Sequence, residues 1–200
     1  MKNLALYSGF LLLLSFNALS ANKILILGDS LTEGYGVNEE YSFPSVLETI
    51  LEKNGHDYKV LNGGVSGSTS ASGKSRLKWF LKSKPKILIL ALGANDGLRG
   101  IKLSKTKTNL ANIIKTAKAK NIKIVLAGML LPPNYGKDYT SNFKKLFSEL
   151  VETYELKFIP FLLDGVAGKK ELNIEDGIHP NRKGYVIIAN NVYKHIKELL

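Results

Sequence analysis

Apolar residues fall into two kinds of run along this chain. At 23–28, 58–62, 86–93 and 122–127, and more weakly at 157–161, they are continuous and rich in Ile, Leu and Val. Continuous rather than alternating apolar character predicts strands buried on both faces, as in a parallel sheet. Between these runs, 44–54, 74–82, 104–120, 140–154 and 184–200 space their apolar residues at three- and four-residue intervals, with lysines and glutamates elsewhere. That spacing predicts amphipathic helices. Strand and helix alternate, so the pattern predicts an α/β protein, a three-layer α/β/α sandwich joined by right-handed crossovers. No internal repeat, low-complexity stretch or interdomain linker interrupts it.

One apolar run is of another kind. Lys2 precedes a hydrophobic stretch over 4–16, and the small residues Ala18 and Ser20 follow it, as in a secretory signal with a cut after Ser20. The stretch is shorter than the roughly 20 apolar residues that a membrane span needs, and Asn17 interrupts it. The expected organisation is a signal peptide over 1–20 and one domain over 21–200. At 200 residues, 44% of them hydrophobic, the chain holds enough apolar material for one core and too little for two. The absence of cysteine excludes disulfides and a cysteine-linked lipid anchor, so a periplasmic or secreted domain held by packing is expected. The formal net charge of +11 is spread over lysines, with only Arg76, Arg99 and Arg182 as arginines. Bidentate reading of phosphates and bases prefers arginine, so a nucleic-acid partner is not expected. Weak contact with anionic lipid is compatible with this surface.

In a parallel sheet, ligands bind outside the carboxyl ends of the strands. The polar, glycine-rich segments 28–36, 63–73 and 93–100 follow the first three strands, and Asp176-Gly177-Ile178-His179-Pro180 precedes the last helix. Loops distant in sequence therefore converge on one edge. Ser30 sits where the first strand gives way to a turn. His179 is held extended by Pro180, and Asp176, three residues earlier, can reach one imidazole nitrogen and leave the other for Ser30. Gly67 can bring a backbone N–H close to a substrate, and the Asn95 amide can donate, so with the Ser30 N–H there are three donors for an oxyanion. Each residue also has a plainer role open to it: Asp29 and Ser30 as turn formers, Asp176-Gly177 as a surface turn, Asn95 and Asp96 as caps of a following helix. The Gly-x-Ser-x-Gly elbow of α/β-hydrolases is absent.

Gly28-Asp29-Ser30-Leu31, Gly67, Gly93-Ala94-Asn95-Asp96 and Asp176-x-x-His179 resemble, in order, the conserved blocks of the SGNH (GDSL) hydrolases. The longer strings 95–100, 131–136 and 176–181 resemble its bacterial periplasmic subgroup of acyl-CoA thioesterases, lysophospholipases and arylesterases. The resemblance implies a flavodoxin-like sheet of five parallel strands and a serine hydrolase acting on acyl esters or thioesters through an acyl-enzyme. It implies Ser30 as nucleophile, His179 as base, Asp176 as its orienter, and Ser30, Gly67 and Asn95 as oxyanion donors. No cofactor or metal is implied, and a small-molecule substrate and a monomeric state are expected. Leu98, Ile101, Met129, Leu130, Leu131 and Tyr135 are expected to face an acyl tail, with Leu98, Ile101 and Tyr135, in glycine- and proline-containing loops, as the exposed lining of the site. A carbohydrate O-deacetylase would use the same machinery, and a non-enzymatic flavodoxin-like module would hold a phosphate or flavin on the 66–75 loop.

Overall fold

The computed structural model describes residues 21–200, so the signal peptide expected over 1–20 lies outside the described residues. Five strands, β1 (Asn22–Gly28), β2 (Tyr58–Gly64), β3 (Ile87–Ala91), β4 (Lys123–Ala127) and β5 (Lys157–Ile159), form one parallel sheet in the order β2-β1-β3-β4-β5. The helices are α1 (Ser30–Glu33), α2 (Phe43–Lys53), α3 (Ser70–Phe80), α4 (Ala94–Leu98), α5 (Leu103–Lys118), α6 (Lys137–Tyr154) and α7 (Arg182–Ile196).

Alternate strand residues feed two separate cores. Ile24 and Ile26 of β1, with Ile87 and Ile89 of β3, pack against Phe43, Leu47 and Leu51 of α2 and Ile188 and Val192 of α7. Leu25 and Leu27, with Leu88 and Leu90, pack on the other face against Leu77 of α3, Ile113 of α5, and Phe143 and Phe147 of α6. Both faces of the central strands are therefore covered, which is why their sequence reads as continuous apolar runs. The edge strand β2 departs from that expectation: only Gly63 in it is buried, because it has a neighbour on one side alone. From β1 the chain steps to β2 on one side and then crosses to β3 on the other. This reversal opens a crevice at the carboxyl ends of β1 and β3.

Two boundaries shift for physical reasons. The helix expected over 74–82 begins at Ser70, because the buried Asp96 carboxylate accepts the Ser70 N–H at 2.8 Å and replaces a missing intrahelical partner. Segment 93–100, expected as loop, contains the short helix α4, which places Asn95 and Asp96 in its first turn and not before it. The last helix starts at Arg182, capped by Asn181, whose side chain accepts from the N–H groups of Lys183 and Gly184.

Candidate active site

β1 ends at Gly28, and the chain turns at once into α1. The Asp29 carboxylate accepts the Leu31 N–H at 3.1 Å as N-cap, so Ser30 occupies the first helical position with its own N–H free of intrahelical bonding. The turn requires close approach: a Cβ on Gly64 at the end of β2 would collide with the backbone of Glu33. Only glycine lets α1 lie across the strand ends there.

Ser30 Oγ lies 2.9 Å from His179 Nε2, and His179 Nδ1 lies 2.6 Å from Asp176 Oδ2. The other carboxylate oxygen of Asp176 accepts the N–H groups of Ile178 and His179, each at 3.0 Å, so one side chain both shapes the loop and holds the ring. Gly177, at φ 72°, supplies the left-handed residue that this turn needs. Tyr35 packs against the imidazole with ring centroids 4.6 Å apart. Burial pushes the Asp176 carboxyl up, but the hydrogen bonds from the His179 backbone, the His179 ring and the Ile178 N–H outweigh it, and its pKa is lowered. The ionised carboxylate holds the proton on Nδ1, which leaves Nε2 to accept the Ser30 hydroxyl hydrogen.

Gly67 and Asn95 stand on the same cavity as Ser30 and His179, a space of about 630 Å³. The loop after β2 is tied to the end of α1, because the Ser66 N–H and hydroxyl both donate to the Glu33 carboxylate. Asn95 Nδ2 donates to the Ser68 carbonyl at 3.1 Å, so α4 and the Gly67 loop are joined through the asparagine itself, with one amide hydrogen still free. Asp96 does not cap the helix that it opens. Fully buried, it accepts from the Ser70 N–H and hydroxyl and from the Thr106 hydroxyl at 3.1 Å, fixing α4 against α3 and α5.

Beneath the nucleophile, the Arg76 guanidinium donates to the Gly28 carbonyl at 2.8 Å and to the Gly63 carbonyl, clamping the ends of β1 and β2 together. Burial pushes the Asp29 carboxyl up to about 6, against the opposing pull of the Leu31 N–H, His179 and Arg76. Burial likewise lowers the Arg76 pKa, opposed by the nearby Asp29.

Of the three residues expected to line an acyl site, only Leu98 does so. Tyr135 is not in the lining but is joined to it, its hydroxyl donating to the Leu98 carbonyl at 3.1 Å. Ile101 does not line the cavity, and its N–H closes onto the Asp96 carbonyl at 3.0 Å. The apolar wall is built from Leu98, Met129, Leu130 and Leu131, all expected beside an acyl chain, together with Phe161 and Leu163. Phe161 and Leu163 were missed, although the rule that named the other loops points to them: they follow β5 at the same carboxyl edge.

Residues 26–187 match the GDSL-like lipase/acylhydrolase family. The chain is similar to esterase TesA of Pseudomonas aeruginosa, 34% identical over 201 residues that cover 100% of both chains. It is also similar to thioesterase 1/protease 1/lysophospholipase L1 of Escherichia coli, 36% identical over 192 residues, 96% of this chain and 91% of that protein. The crystal structure of TesA superposes with a TM-score of 0.86 at 35% identity, covering 90% of this chain and 100% of that one.

Proposed function

The chain belongs to the GDSL-like lipase/acylhydrolase family and is a serine esterase/thioesterase, and on that premise we propose that Ser30, His179 and Asp176 carry out its acyl transfer. Ser30 Oγ attacks the ester or thioester carbonyl while Nε2 of His179 takes the hydroxyl proton. The oxyanion that forms is held by the N–H groups of Ser30 and Gly67 and by the free amide hydrogen of Asn95. His179 then gives its proton to the leaving alcohol or thiol as that bond breaks, and the acyl group remains on Ser30. Water, deprotonated by the same nitrogen, attacks the acyl-enzyme; the acyl–Oγ bond breaks as His179 returns that proton to Ser30, and the carboxylic acid is released. The imidazolium formed at each attack is stabilised by the Asp176 carboxylate.

The observation that carries this reading is the unbroken relay from Ser30 Oγ to Nε2 at 2.9 Å and from Nδ1 to Asp176 at 2.6 Å, joined across 149 residues of sequence. The substrate is a small molecule with an apolar acyl group, because the wall facing Ser30 is made of Leu, Met and Phe side chains. Export through removal of residues 1–20 to the periplasm or medium, and contact with anionic lipid, belong to the same reading; the segment over 4–16 and the charge of +11 support them.

A carbohydrate O-deacetylase is the second reading, and the apolar wall weighs against it. A panel of p-nitrophenyl esters of rising chain length, run beside acetylated sugars, tests both. Each methylene buried against the wall adds up to about 0.8 kcal/mol, so kcat/KM is expected to climb from acetyl to medium-length chains until the cavity is filled. A profile that peaks at acetyl and declines steadily would favour the deacetylase.

A further inference from the structure

Eight large apolar side chains are exposed among the described residues, and six of them gather at one place. Tyr35, Leu98, Leu130 and Ile178 line the cavity and still present 50%, 40%, 38% and 57% of their surface to water. Val65, also exposed, precedes the cavity residue Ser66, and Tyr135 is bonded to the Leu98 carbonyl. Trp79 on α3 and Val186 on α7 are the other two. The six come from five segments: Tyr35 from the turn after α1, Val65 from the loop after β2, Leu98 from the end of α4, Leu130 and Tyr135 from the segment after β4, and Ile178 from the loop before α7. Apolar residues scattered singly over a surface need no explanation, but a ring, as we call this set, drawn from five segments that meet at one cavity does.

A single acyl chain lying in the cavity covers the inward faces of these residues and leaves the outward faces wet. We propose that the ring is a docking surface for aggregated anionic amphiphile, a micelle or bilayer from which the acyl substrate is drawn directly into the cavity. The inference rests on the reading of that cavity as an acyl-ester site. Two observations select a lipid surface over a protein partner or a second copy. Four of the six line the cavity itself and the other two adjoin lining residues, so a protein seated on them would shut the site, whereas a lipid surface presents the acyl chain itself. Without Lys2 of the +11 full sequence the mature chain carries about +10, with Arg99 exposed beside Asn95, so two copies facing each other repel while anionic headgroups are attracted. Apolar residues that insert and a net cationic charge that steers are the two components of interfacial binding.

The test is co-sedimentation of the mature chain with vesicles of non-hydrolysable ether-linked lipids, either phosphatidylcholine alone or phosphatidylcholine mixed with phosphatidylglycerol. The parent protein is expected on the mixed vesicles and mostly in solution with pure phosphatidylcholine, with high salt weakening the binding. Val65→Ser combined with Ile178→Ser, both at exposed positions, is expected to lower partitioning at least tenfold, and Trp79→Ser, outside the ring, to leave it unchanged. Val65→Ser alone is expected to hydrolyse a water-soluble ester below its solubility limit at the parent rate, which separates docking from catalysis. Absence of parent binding to mixed vesicles, or binding lost in Trp79→Ser and kept in the ring variant, would overturn the proposal. Loss of ester hydrolysis with vesicle binding intact would count against the catalytic reading and leave docking standing.

Discussion

Replacing Asp29 by asparagine should reverse part of the pH dependence of stability. Asp29 is 2% exposed beside the nucleophile, and burial raises its pKa from 3.8 to about 6. A carboxyl whose folded pKa lies above its unfolded one binds protons more tightly in the native state. Its contribution to stability is fully present below pH 3.8 and is lost as pH rises through about 6. At about 1.4 kcal/mol per pH unit the gap corresponds to roughly 3 kcal/mol in all, and to about 2 kcal/mol across the accessible window from about pH 4.5 to 7.5. Asparagine keeps an oxygen for the Leu31 N–H at the N-cap but carries no charge to desolvate. The stability of Asp29→Asn relative to the parent should therefore rise by about 2 kcal/mol between those pH values, read from urea unfolding curves of both proteins across the window. Comparing the two proteins at each pH cancels every other titrating group. A difference that stays flat, or that falls with pH, would refute the argument that burial dominates over Arg76 and His179 at this site.

Asn95→Ala should lower kcat with little change in KM, by about 10²- to 10³-fold as for loss of one oxyanion donor, in steady-state assays on a p-nitrophenyl ester; a near-normal kcat would reduce Asn95 to a tether of Ser68. Asp96→Ala should destabilise the fold by about 1 to 3 kcal/mol or more in chemical denaturation, because it leaves the Ser70 N–H and hydroxyl and the Thr106 hydroxyl without their buried acceptor. N-terminal sequencing of exported protein should begin at Ala21, and salt-resistant membrane attachment with Lys2 retained would contradict cleavage.

The three central strands and the order of the loops were legible because both faces of β1, β3 and β4 are buried and the pattern of apolar residues records that directly. The start of α3 was not legible. Thr69 to Ser72 carry no apolar periodicity, and the Asp96 carboxylate, which makes a helix start there possible, lies 26 residues downstream of Ser70. Ser30, Asp176 and His179 were nominated from residue type and spacing, and the fold brings them into contact because β1 and the loop before α7 end on one edge. The acyl wall was read less well. Glycine and proline mark 98–101 and 131–136 as loops, but where a loop residue points depends on backbone bonds such as Ile101 N–H to Asp96, which one sequence does not display. Phe161 closes the weak apolar run 157–161 and Leu163 lies beyond it, and the early end of β5 at Ile159 leaves both to line the cavity.

The central claim is that one serine among many is activated by a base, and a fluorophosphonate reads that activation directly, since a serine whose hydroxyl proton has an acceptor attacks phosphorus fastest. Peptide mass spectrometry after brief labelling of the mature protein should find the adduct on Ser30 alone, with labelling and esterase activity both lost in Ser30→Ala. An adduct on Ser66 or Ser68, or a Ser30→Ala variant that still hydrolyses esters, would contradict the account.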